Sequence, residues 1–146
     1  MSREKALGLP SGEIYSMTNI VRNRDRRLTT ELGRIGLTLP EWRVLRIIHS
    51  FAQDVPMSVI IEHSQTDRTA LGRTIDRLVE RGWVERLPDP DDKRAVYIRR
   101  RPASCVAFTQ ALQVVSQWDT QLMAGLDAVE RGALSRALKK LDDASL

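Results

Sequence analysis

The sequence predicts a mainly α chain, α+β in class, with one small hairpin set among helices. Three observations predict it. Apolar residues recur at three- and four-residue steps through most of the 146 positions. Thr38, Asp67 and Asp127 each stand where a side chain caps a new helix. Between Gly82 and Arg101 the period changes to two short β-branched and aromatic runs around a string of turn formers. Apolar residues make up 42% and charged residues 29% of the chain, a globular balance for a single domain with its own core. No apolar run reaches bilayer length and residues 1–12 carry no signal-peptide core, so a cytoplasmic protein is expected. The one cysteine, Cys105, excludes a disulfide framework and a cysteine-rich zinc site, and it is expected to be buried and inert.

Taken in order, residues 13–33 place Ile14, Met17, Val21, Leu28 and Leu32 on one face of a long amphipathic helix. Thr38-Leu39-Pro40-Glu41 reads as a capping box with proline in the first turn, opening a helix to about Phe51 that buries Trp42, Leu45 and Ile48. Asp54-Val55-Pro56 breaks the chain, and Ser58 is expected to cap a short helix through Val59 to Glu62. Asp67 caps the next helix, whose inward stripe is Leu71, Ile75 and Leu78 with Val79 beside it. Gly82 is placed for the left-handed turn that ends it. Its outward face offers Thr69, Gly72, Arg73, Asp76 and Glu80, with Arg68 at the start and Arg77 on the flank. The runs 83–87 and 95–99 flank Pro88-Asp89-Pro90-Asp91-Asp92-Lys93, a hairpin with a charged tip. A long helix then carries Phe108, Leu112, Val115, Trp118, Leu122 and Leu126, and a last one carries Val129, Leu134, Leu138 and Leu141.

Charge is more informative than composition. The net charge is +4, and residues 68–101 hold ten basic and six acidic side chains, so this stretch carries the whole excess. A basic segment on a neutral body points to a polyanionic partner, although arginines paired with nearby acids would give the same count. Short helix, turn, capped helix and hairpin is the order of a winged helix-turn-helix. In that geometry the second helix enters the major groove and the hairpin tip reaches the adjacent backbone or minor groove. Thr69, Ala70 and Gly72 are small enough for close approach, and Arg68, Arg73 and Arg77 supply donors. Gly72 reads equally as a site of tight packing against the preceding helix.

Leu78-Val79-Glu80-Arg81-Gly82-Trp83-Val84-Glu85-Arg86, followed by Asp91-Asp92-Lys93-Arg94, resembles the MarR family of bacterial transcriptional regulators, from about residue 13 to residue 142. The resemblance implies that Arg68, Thr69 and Arg73 meet bases or phosphates, that Arg77 and Ser58 meet phosphates, and that Asp92 holds the Arg94 guanidinium for the minor groove. It implies a homodimer on a pseudo-palindromic operator. Residues 1–12 would be a flexible leader, 13–35 and 102–146 the helical dimerisation region, and 36–101 the DNA-binding lobe. It further implies a repressor released by a small aromatic or phenolic effector, for which Tyr15 and Trp42 are the candidate lining. The chain departs from the family pattern at Arg100-Arg101-Pro102-Ala103, where the usual threonine cap and glycine are missing.

Other classes fit less well. His49 and His63 lie in no ligand or nucleophile motif, Ser64 and Ser104 have no nucleophile-elbow context, and no enzyme, cofactor or metal is expected. A winged helix used only for protein contact, and a DNA-binding regulator with no small-molecule ligand, are the remaining alternatives.

Overall fold

The structure is a computed structural model and describes residues 11–146. Among the described residues, six helices and three strands follow one another as α1 (Gly12–Arg34), α2 (Leu39–His49), β1 (Val55–Pro56), α3 (Met57–His63), α4 (Arg68–Glu80), β2 (Val84–Pro88), β3 (Val96–Arg100), α5 (Pro102–Met123) and α6 (Ala128–Ala144). The expected leader, residues 1–12, lies outside the described residues apart from Ser11 and Gly12, and Gly12 opens α1.

Local chemistry sets the helix ends. Gly36 (φ 76°) and Gly82 (φ 71°) adopt the left-handed conformation after α1 and α4. In both, two backbone N–H groups fold back onto the last turn: Leu37 to Leu32 and Gly36 to Gly33, Trp83 to Leu78 and Gly82 to Val79. That is the Schellman closure, which residues with a Cβ adopt only at a steric cost. Thr38 accepts from the Glu41 N–H at 3.2 Å, but the reciprocal half of the expected box is absent. The Glu41 carboxylate takes the Thr38 hydroxyl and Arg81 instead. At α6 both halves form between Asp127 and Glu130.

Two expectations are corrected, and one departure from the family pattern finds its explanation. Ser58 does not cap α3: the helix starts at Met57 after Pro56, with no side-chain cap, so Ser58 lies inside its first turn. The break at Asp54-Val55-Pro56 is also a strand, pairing Val55 with Ile98 and Pro56 with Tyr97, so the sheet has three antiparallel strands in the order β1-β3-β2. The irregular start of α5 resolves at Pro102, whose ring suits the first helical position, while the Ser104 hydroxyl donates to the Arg101 carbonyl at 2.8 Å.

One core joins these elements. Leu28 and Leu32 of α1, Trp42, Leu45 and Ile48 of α2, Ile60 of α3, Leu71, Ile75 and Leu78 of α4, Val84 and Ile98 of the sheet, and Ala111 and Val115 of α5 are all buried. The terminal helices are different. On α1, Ile14, Ile20 and Val21 are exposed, as are Leu112 and Leu122 on α5, and α6 has no buried residue, with Val129 79% exposed. These three helices thus leave large apolar side chains exposed to water. Arg24 ties α1 to α5 through a two-pronged pair with Asp119 at 2.6 and 2.9 Å, which holds the Asp119 carboxyl below its ordinary pKa of 3.8. No helix of the described residues is long and apolar enough to cross a membrane.

Candidate nucleic-acid interface

The site begins with α4, the second helix of the helix-turn-helix. Asp67 accepts the Ala70 N–H at 2.9 Å and fixes where the helix starts. Leu71, Thr74, Ile75 and Leu78 then turn inward, and Arg68, Thr69, Arg73, Asp76, Arg77 and Glu80 are left exposed. Gly72 lies between these faces, half-buried. A Cβ built on it meets nothing within 4 Å, which removes packing against the preceding helix as its reason. Ser58 is exposed on α3.

The wing follows without delay. β2 and β3 pair from Val84 with Arg100 to Pro88 with Val96, and the tip spans residues 89–95. Two aspartates organise that tip through the backbone. Asp89 accepts from the Asp91 N–H and Asp92 from the Arg94 N–H, both at 2.9 Å. Asp92 is thus bound to the main chain of Arg94 and not, as expected, to its guanidinium. Aspartate closing on the N–H two residues ahead is a turn-forming contact. It leaves the Arg94 side chain exposed at the wing tip, with no ion pair among the described residues.

Ion pairing decides which cations of residues 68–101 face outward. Arg81 pairs with Glu41 at 2.7 Å, Arg86 with Asp76 at 2.6 Å, and Arg99 with Asp54 at 2.9 Å and Glu85 at 3.6 Å. These three arginines are consumed inside the lobe. Arg68, Arg73, Arg77, Lys93, Arg94, Arg100 and Arg101 are exposed, and none is in an ion pair among the described residues. The α4 face is therefore net positive, with Arg68, Arg73 and Arg77 against Glu80, its single acid without an ion pair among the described residues. This is the electrostatic footprint of a phosphate-binding surface, whereas at the wing tip Lys93 and Arg94 stand among Asp89, Asp91 and Asp92. Sequence reading counted these charges but could not sort them. The partners lie 40 and 45 positions apart for Arg81 and Arg99, beyond any local spacing rule.

Two junctions hold the wing and α4 to the rest. Arg81, at the end of α4, reaches the buried Glu41, donates to the Gly36 carbonyl at 2.5 Å and lies over the Trp83 ring at 4.1 Å. His49, closing α2, stacks on Phe108 at 4.2 Å, lies 3.1 Å from the Ser104 hydroxyl through Nε2 and accepts from Arg100 through Nδ1 at 3.4 Å. Burial first, then the Arg100 charge, push its pKa below the ordinary 6.5. The neutral ring is thus favoured in the fold while the unfolded chain protonates more readily. Its contribution is complete above pH 6.5 and declines as pH falls from there toward the lower folded value. His49→Gln is expected to flatten the part of the pH dependence of Tm that lies below 6.5, measured as the difference from wild type. An unchanged difference across that range would contradict this reading.

Tyr15 and Trp42, the expected effector lining, are not brought together as a pocket wall. Trp42 is buried against Phe108, with ring centres 5.7 Å apart, because α2 turns that face into the core, and Tyr15 is exposed on α1. Neither lines either of two clefts found among the described residues. One, of about 180 Å³, lies where Ile35, Leu37 and Trp83 meet Ala103, Val106 and Gln110 of α5. The other, of about 300 Å³, runs between α1 and α5, lined by Ile20, Asn23, Arg24, Arg27, Trp118 and Leu122, with the Arg27 guanidinium 3.9 Å from the Trp118 ring centre. Cys105 is exposed, not buried as expected, because Ser104 takes the inward position on that turn of α5.

Comparison with known proteins agrees with this geometry. Residues 35–95 match a family model described as MarR family. The chain is 34% identical over 134 residues to the multiple antibiotic resistance protein MarR of Escherichia coli (strain K12), covering 91% of each. Among solved structures it is similar to a mutant MarR from E. coli complexed with operator DNA, with a TM-score of 0.76, 33% identity and 93% and 96% of the two chains covered. It shares its fold, at a TM-score of 0.78 and 20% identity over 99% of this chain and 82% of the other, with the organohalide sensing RdhR transcriptional regulator in its 2,4-dichlorophenol bound form. Sequence, fold and the free cations of α4 and the wing lead to one assignment: this chain belongs to the MarR family and is a transcriptional regulator, not an enzyme.

Proposed function

We propose that this chain is a sequence-specific repressor that binds a pseudo-palindromic operator as a homodimer and is released by a small-molecule effector. The observation that carries the DNA reading is the exposed face of α4, where Arg68, Arg73 and Arg77 have no ion pair among the described residues, together with Lys93 and Arg94 exposed at the wing tip. Thr69 and Gly72 keep the middle of that face low enough for base edges, with the arginines on bases and phosphates around them. Asp92 shapes the tip so that Arg94 enters the minor groove, where narrowing concentrates negative potential. Ser58, exposed in the first turn of α3, meets a phosphate.

Gly72 gives a prediction of opposite signs. Gly72→Ala adds a Cβ into open space, so the fold should gain about 1 kcal/mol from helix propensity. The same methyl stands between the helix and the groove floor, so duplex affinity should fall. A thermal melt and a binding titration on one preparation check both, and affinity rising with stability would remove the close-approach role of this glycine.

The homodimer reading rests on the uncovered apolar faces of α1, α5 and α6. Two α4 helices then meet half-sites about one turn of DNA apart, with the operator symmetry following that of the protein. Gel filtration with light scattering at micromolar concentration should give a dimer, and a stable monomer would overturn it. The effector is a small aromatic or phenolic compound, and the cleft beside Trp83 is its best-placed seat. That residue directly follows the turn ending α4, and its carbonyl accepts from the Arg101 N–H at 2.8 Å, so an occupant there bears on α4, the wing and α5 together. Sequencing DNA fragments retained by the purified protein tests the regulator reading as a whole: a shared inverted repeat supports it, and random fragments contradict it.

A further inference from the structure

Arg86 is a basic residue in the middle of the wing, yet it does not face solvent as a free cation. From β2 its guanidinium reaches across to α4, where it pairs with Asp76 at 2.6 Å and approaches the Gly72 carbonyl at 3.4 Å. Both groups lie on or beside the outward face of that helix. The pair is itself open to water, with the two side chains 39% and 58% exposed, so its contribution to fold stability is small. Its position matters more. Arg86 is an ionic bridge from the wing to the exposed side of α4, and Asp76 is one of two acids on that face, the other being Glu80.

We propose that Arg86 is a positioning residue of the DNA interface, acting through Asp76 and the Gly72 carbonyl. It does two things at once. It sets the angle between the wing and α4, so that the two can engage one duplex in a single register. It also cancels a carboxylate that would otherwise repel phosphates from the helix face. Its part in binding is indirect: both contacts are made by Nη2 and hold the Arg86 charge against Asp76 and the Gly72 carbonyl. This inference rests on the DNA-binding reading above, and the test separates the two.

The experiment uses the full chain and two probes, a random-sequence duplex and the duplex that wild-type protein selects from a random pool. Wild-type binding to both, measured first against salt, settles the underlying reading alone. Three variants follow: Arg86→Gln, Asp76→Asn and the double substitution. Arg86→Gln frees the Asp76 charge and unlatches the wing, and should weaken the selected duplex about tenfold or more with little change in Tm. Asp76→Asn frees Arg86 to meet phosphate, so binding to the random duplex should strengthen and its salt slope steepen by about one for each protomer engaged. The ratio of selected to random affinity should fall in both. The double substitution should recover the random-duplex affinity lost in Arg86→Gln but not that ratio, since repulsion is removed while the latch stays broken. A selected-to-random ratio unchanged in both single variants would overturn the proposal, leaving an ordinary surface ion pair. So would a loss in Arg86→Gln that tracks a large fall in Tm and is restored by Arg86→Lys with no dependence on Asp76.

Discussion

Arg94→Ala should lower operator affinity by about 2–6 kcal/mol, roughly 30-fold at the least, and leave the fold intact. A single arginine contact with DNA is worth about 1–3 kcal/mol, and a symmetric dimer loses two of them. The exposed side chain has no partner within the protein, and the contact that shapes the tip runs from Asp92 to the Arg94 N–H, which alanine retains. Stability should therefore move by no more than about 0.5 kcal/mol. Arg73→Ala, on the exposed face of α4, should behave alike, with a larger effect on discrimination between duplexes than on random DNA. Binding titrations beside thermal melts check both variants, and normal affinity in Arg94→Ala would remove the wing from the interface.

The second large effect is on the fold. Arg81→Ala should destabilise the protein by about 3 kcal/mol, since breaking a buried pair leaves its partner charged and unmatched. Glu41 is 4% exposed and its carboxylate has, besides Arg81, only the Thr38 hydroxyl at 3.0 Å among the described residues. The same arginine also satisfies the Gly36 carbonyl that ends α1 and covers the Trp83 ring, so one side chain joins α1, α2, α4 and the wing base. Glu41→Gln keeps the volume and one acceptor and should cost less than Arg81→Ala in a denaturant titration. Equal, small losses in the two variants would show that this clamp contributes little.

What the sequence made legible follows from the range of each interaction. The caps at Asp67 and Asp127, the turn at Gly82 and the inward stripe Leu71–Ile75–Leu78 are set by residues within four positions of one another, and they stand where spacing places them. The hairpin was readable from its change of period. β1 was not, because two residues, one of them proline, form no pattern, and Val55 is in the sheet only because Ile98 lies beside it. Helical spacing places Trp42 in the core, where it is found; the ligand role came from the family resemblance alone, and α5, some 66 positions later, brings Phe108 against it. Similarly, the reciprocal arm of the Thr38 box is diverted by Arg81, 40 residues downstream of Glu41. The candidate DNA residues were legible as a list. Their division into free cations and internally paired ones depends on tertiary contacts, as at Arg86 and Arg99.

The account depends most on α4 and the wing tip engaging one duplex together, and salt dependence of binding tests this directly. Titrating a duplex of about three helical turns between roughly 50 and 200 mM salt should give a linear log–log plot with a slope of about −5 to −10. That range corresponds to about 6 to 11 phosphates neutralised, between somewhat under half and most of the free cations a dimer carries. A protein that ignores duplex DNA even in dilute buffer, or binds it with no dependence on salt, would contradict the account.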